Sequence, residues 1–248
     1  MKREILWFEE ATAYPLAEQR FIKACGFDLS KPKHQRMLKR GSQVRADGLA
    51  GIRLGGVFSF WGAEYFHQGK LTLGELEIHC HYFEQLPEEA VSGLYLYLLT
   101  AGECYFSSEE NIVDFLYADM WGTAYVDAAA ELLRDRIRKD LESRMGDSIF
   151  GIPSSAYLSE EFGPGYYGMS VQESKKIMSL LQGEELGIAV KDNGLIIPQK
   201  SCTGLYFVLN DAQVRIEPGC MKCRGTASGC GFCRFSTSDK ERREGDAE

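Results

Sequence analysis

Four cysteines fall within fourteen residues near the C-terminus: Cys220, Cys223, Cys230 and Cys233, two Cys-x2-Cys pairs separated by "RGTASG". A two-residue gap lets one turn of backbone aim both sulfurs at a single metal, and a glycine-bearing spacer folds the second pair back onto the first. Lys222, Arg224 and Arg234 lie beside the thiolates and offset the negative charge of a four-thiolate site. The spacer is short for a ribbon-type zinc site and does not match common ferredoxin spacings, so zinc and an iron–sulfur cluster stand level. Two redox disulfides or free thiols are the competing reading. Cys25, Cys80, Cys104 and Cys202 are scattered in apolar surroundings and read as small buried hydrophobes in a reducing compartment.

A second stretch that could do chemistry is "EEFGPGYYGMSVQESKK", from Glu160 to Lys176. Pro164 stiffens its entry, while Gly163, Gly165 and Gly168 permit positive φ and close approach of a ligand to the backbone. Tyr166 and Tyr167 each offer a flat apolar face and a hydroxyl that needs a partner. Ser170 and Glu173 form a capping box, predicting a helix whose free N–H groups point back at the loop and could seat a carboxylate. The plainer alternative is a glycine-rich connection with packed tyrosines. His79 and His81 share one side of an alternating run, Leu76 to Tyr82, and fit a solvated sheet face better than a metal site.

These residues need a frame. "PLAEQRFIKACGF" has apolar spacing of three and four ending at Gly26, which predicts a helix from Pro15 to about Cys25, and "PKHQRMLKRGSQVRA" predicts a second, surface helix. "AGIRLGGVFSFWG" and "LTLGELEIHCHYF" read as strands, and Leu94 to Thr100 as a buried strand. Ser107 with Glu110 caps the longest regular segment, one helix or two broken near Trp121-Gly122. Gly122 inside a helix costs about 1 kcal/mol relative to alanine, so something must approach the backbone closely there. "GIAVKDNGLIIPQKSCTGLYFVL" reads as a strand, an Asp-Asn-Gly turn, and two strands split by "PQKSCTG".

The chain has 248 residues and a formal net charge of −8, which weighs against non-specific nucleic-acid binding, since that needs a basic surface to displace counterions. The longest apolar runs are about half of what a membrane-spanning helix requires. "MKREILWFEEATAYP" carries acids early and no small-residue cleavage site, so a cytoplasmic protein is expected. No phosphate-binding G-x4-G-K-S/T loop appears. "STSDKERREGDAE" is a charged tail expected to be disordered.

The run "FGPGYYGMSVQESKKIMSLLQGEELGIAVKDNGLIIPQKSCTGLYF" resembles the reactivation domain of cobalamin-dependent methionine synthase and its stand-alone relatives in anaerobes. The matching pieces are Pro164-Gly165-Tyr166, Leu186-Gly187-Ile188, and Pro198 through Gly204. "DMWGTAYVDAAAELLRDRIRKDL", with Asp127 and Glu131, is similar to that family's glycine-bearing helix. The resemblance runs roughly from Leu94 to Phe207. It implies an α+β fold: a twisted, mostly antiparallel sheet packed with long helices. Residues 1–212 would form that domain, 213–236 a small cysteine-rich appendage, and 237–248 the tail.

By the same resemblance the chain binds S-adenosylmethionine and caps a corrinoid carried by a partner, a methionine synthase or related corrinoid methyltransferase. An electron donor such as flavodoxin or ferredoxin reduces cob(II)alamin while S-adenosylmethionine supplies the methyl group. Asp127 and Glu131, one helical turn apart, would hold the ligand's positive charge; without the resemblance they read as a solvated helix face beside Arg134 and Arg138. Gly165, Tyr166 and Tyr167 would line the methionine part, with Ser201 and Tyr206 closing the pocket. One departure stands out. Where the family's loop carries an arginine that pairs with the ligand's carboxylate, this chain has Glu161, and Gly163 replaces the serine before the proline. Either another basic residue (Lys200 being nearest in sequence) takes over, or the chain is a non-catalytic adaptor or an electron-transfer protein for a corrinoid protein.

Overall fold

The computed structural model describes residues 3–103, 111–214 and 216. The four-cysteine cluster, the tail, Cys104 and the Ser107–Glu110 capping box lie outside the described residues.

The long apolar run read as a buried strand becomes β6 (Val91–Gly102), the centre of a five-stranded sheet. The order is β1 (Arg3–Trp7), β2 (Ile52–Gly62), β6, β10 (Ser201–Leu209) and β7 (Tyr157–Leu158), with every neighbour antiparallel. Strand parity divides the side chains between two cores. Tyr95, Tyr97, Leu99 and Ala101 of β6 join Tyr206 and Val208 of β10 on one face. Leu94, Leu96 and Leu98 join Leu205, Phe207 and Leu209 on the other. Both faces are therefore covered, which is why β6 reads as a continuous apolar run rather than an alternating one. Each fully buried leucine contributes roughly 1.5–3 kcal/mol of transfer free energy.

Three helices cover the first face: α1 (Glu10–Ala24), α2 (Pro32–Gly48) and the 33-residue α3 (Ile112–Arg144). α3 is unbroken at Trp121-Gly122. Its start is capped by Asn111, whose side chain accepts from the amides of Val113 and Asp114. Gly122 is explained by the aliphatic stem of Lys200, since a Cβ there would lie 2.9 Å from Lys200 Cγ. α1 begins five residues before the predicted Pro15 boundary and carries Pro15 inside it. The second face is covered by α4 (Glu173–Leu181) and by a small sheet of β3 (Phe66–His67), β4 (Lys70–Leu73) and β5 (Leu76–Ile78).

Three expectations are corrected. The strand through Tyr82 ends at Ile78 and gives way to a 3-10 turn at His81–Gln85; His79 and His81 are both exposed. The helix expected from Ser170 begins at Glu173, because the Glu173 carboxylate does not cap the helix start. It meets the amide of His79 at 3.3 Å and Lys176 Nζ at 2.9 Å. β8 (Ala189–Val190) and β9 (Ile196–Ile197) form the hairpin around Asp192-Asn193-Gly194, and only Pro198–Lys200 then separates β9 from β10.

Candidate functional site

The loop after β7 is laid along β10. Phe162 N–H donates to Leu205 O at 2.9 Å and Leu205 N–H returns the bond to Phe162 O at 2.8 Å, a single bridge that turns Phe162 into the second core. Its neighbour Glu161 faces the opposite way, toward the α3 side of the sheet, where it accepts the hydroxyl proton of Tyr97. Gly204 makes this possible. It sits directly across from Tyr97 in the β6–β10 register, and a Cβ there would lie 2.4 Å from the Phe162 carbonyl and 3.1 Å from the Tyr97 ring. The glycine of the Thr203-Gly204 pair therefore has a packing reason independent of any ligand.

Tyr97 stacks on Tyr206, ring centroids 5.4 Å apart and planes 23° from parallel, and the Arg134 guanidinium of α3 lies 5.4 Å over the Tyr206 ring. An Arg134 terminal nitrogen donates to Ser159 O at 3.3 Å, while its Nε–H is buried with no acceptor. Burial, with the Glu161 charge adding to it, drives the Tyr97 hydroxyl well above the ordinary phenol range, so Tyr97 stays protonated and keeps donating to Glu161. The array thus runs Arg134, Tyr206, Tyr97, Glu161 on the α3 side of the sheet. Among the described residues neither terminal charge has an ion-pair partner.

Around the rim, Gly165 (φ +95°) donates its N–H to Met169 O at 2.9 Å, and Met169 N–H donates to Tyr166 O at 2.8 Å, closing a tight loop. Tyr166 projects from it, 59% exposed. Tyr167, at φ 55°, instead turns inward and packs on Phe162 and Tyr82, with centroids 4.6 and 5.5 Å away. The free amides expected at the next helix are not available: Glu173, Ser174 and Lys175 donate to the carbonyls of Ser170, Val171 and Gln172.

The remaining residues singled out from sequence are distributed rather than gathered. Ser201 and Tyr206 have opposite parity on β10, so Ser201 lies on the α4 face, its hydroxyl 2.8 Å from Thr100 Oγ1. Asp127 and Glu131 do share one face of α3, and both meet Arg20 of α1, at 3.7 and 2.5 Å. Lys200 is committed to α3, with Nζ 2.6 Å from Asp119 Oδ1 and 3.0 Å from Thr123 Oγ1. Tyr97 and Arg134, which complete the array, were not singled out. The signal available was the alternation of Tyr95 and Tyr97 inside an apolar run, since buried phenols demand hydroxyl partners. A separate cavity of about 540 Å³ opens beyond the far end of β10, between Phe60–Tyr65, Ile149–Gly151 and Asn210.

No protein-family profile and no curated protein matches the chain. Among solved structures, the fold is similar to that of the crystal structure of the MetH reactivation domain bound to AdoHcy, at 14% sequence identity and a TM-score of 0.59, covering 86% of this chain and 80% of that one.

Proposed function

We propose that the chain is an accessory module of a corrinoid-dependent methyltransferase, related in role to the reactivation domain of methionine synthase. It would hold an adenosyl methyl donor at the rim of the Gly163–Gly168 loop and present it to a corrinoid carried by a partner. The partner's corrinoid, once reduced by one electron, would supply the nucleophile for the methyl group, and the chain's part would be to hold S-adenosylmethionine beside it and release S-adenosylhomocysteine. The observation that carries the reading is the loop itself. The Pro-Gly-Tyr turn follows Phe162, which is bridged to Leu205 of the strand carrying Ser201-x-Thr203-Gly204, in a fold similar to one solved with AdoHcy. Residues 213–236 would form the metal-binding module and 237–248 a tail, in a chain working in the cytoplasm. An iron–sulfur cluster there would let the chain pass the electron itself, whereas zinc would leave that to a flavodoxin or ferredoxin.

The experiment is an anaerobic incubation of a cob(II)alamin-loaded methyltransferase module with a chemical reductant and methyl-labelled S-adenosylmethionine. Label is expected on the corrinoid when the chain is present and at background without it; equal labelling in both would defeat the reading. One observation favours the adaptor alternative, namely that Arg20 already occupies Asp127 and Glu131. In that case the chain would bind the corrinoid module without stimulating transfer, and anaerobically purified protein would be colourless and contain zinc.

A further inference from the structure

Two charges of opposite sign, neither with an ion-pair partner among the described residues, sit at the ends of one aromatic stack. Glu161 is half-buried, and its bonding partner is a neutral phenol. Arg134 is half-buried, spread over the Tyr206 face, with one 3.3 Å bond to a neutral carbonyl and a buried Nε–H that has no acceptor. The two do not pair with each other. The other cations nearby are spoken for: Lys200 by Asp119 and Thr123, Arg20 by Asp127 and Glu131. Half-buried charges without counter-charges are costly, and a ligand that brings both complements recovers that cost.

We infer that Arg134 and Glu161 are the two charge poles of the ligand site, Arg134 receiving an anionic end and Glu161 a cationic centre. This rests on the adenosyl-donor reading and adds to it the polarity of the bound molecule. The ligand class is a nucleoside bearing a carboxylate and, several bonds away, a sulfonium. Arg134, on α3 and separated in sequence from the loop by β7, supplies the positive charge that the loop itself lacks. A guanidinium suits that task because its fork meets both carboxylate oxygens.

The test is competitive calorimetry of the full chain with four probes: S-adenosylmethionine, its decarboxylated form, S-adenosylhomocysteine, and the analogue lacking the amino group. The wild-type chain is expected to bind S-adenosylmethionine at least about tenfold more tightly than the decarboxylated probe. Arg134→Met should bring those two within about threefold, while Arg134→Lys keeps part of the preference. Glu161→Gln retains a bond to Tyr97. It should abolish the wild-type penalty against S-adenosylhomocysteine, which lacks the sulfonium, while the desamino analogue, whose missing ammonium shares a carbon with the carboxylate, is disfavoured equally by wild type and variant. Probe ratios unchanged in Arg134→Met and Glu161→Gln, with melting temperatures near wild type, overturn the two-pole assignment alone. Failure of every probe to bind, with and without a corrinoid module, overturns the adenosyl reading as well.

Discussion

Gly204→Val is expected to cost about 3 kcal/mol in urea unfolding and to release the loop that carries Glu161. The new Cβ would lie 2.4 Å from Phe162 O, a backbone atom tied into the reciprocal bonds with Leu205 and unable to retreat without breaking them. The Tyr97 ring, 3.1 Å away on the other side, blocks the alternative shift. Amide exchange should therefore accelerate at Phe162 and Leu205 well before global unfolding. Gly146→Ala is the control, because φ is +78° there but nothing lies within 4 Å of the added carbon. It should cost only about 1 kcal/mol of backbone strain. Equal losses for the two variants would show that crowding at the β10 bridge is not what fixes the loop.

Trp121→Ala should be costlier still, about 3–5 kcal/mol. Trp121 is fully buried where three helices meet. Its ring stacks on Phe21 of α1 at 4.1 Å and 8°, and its Nε1–H donates to Gly41 O of α2 at 2.9 Å. Gly41 admits that closeness, since a Cβ there would be 2.7 Å from Phe21 Cζ. Truncation opens a cavity and leaves a buried carbonyl without its donor, and the two penalties add. Trp121→Phe keeps much of the stack and should lose less than half as much. A midpoint shift in the alanine variant no larger than in the phenylalanine variant would mean that α2 is not anchored through this ring.

Elements whose signal is local were legible in the sequence. The β6 run, α3 with its glycine-marked close approach, and the Asp-Asn-Gly hairpin all came from periodicity or turn chemistry that neighbouring residues settle among themselves. α4 was displaced by three residues because Glu173 found better partners, the His79 amide and Lys176, than the helix start could offer. That choice is tertiary and leaves no local trace. Pairing across the sheet was the least legible part. Glu161 stood out as a misplaced charge, but its partner Tyr97 is 64 residues away and meets it only through the β6–β10 register. Helical spacing alone makes Arg134 a flank of Asp127 and Glu131. Its long side chain instead covers Tyr206, which helical spacing alone does not reveal. Ser201 and Tyr206 were grouped by motif, yet five residues along a strand place them on opposite faces.

The proposed adenosyl ligand would lie where the Gly163–Gly168 loop meets the Tyr97–Tyr206 stack. Photolabelling with an azido-adenosyl analogue of S-adenosylmethionine, followed by peptide mass spectrometry, reads that location directly. Label displaced by unlabelled S-adenosylmethionine and carried by the peptide spanning Glu160 to Lys176 is the predicted result. Label confined to peptides around Phe60–Tyr65 or Ile149–Gly151 would place the ligand in the cavity at the other end of the sheet and contradict the account.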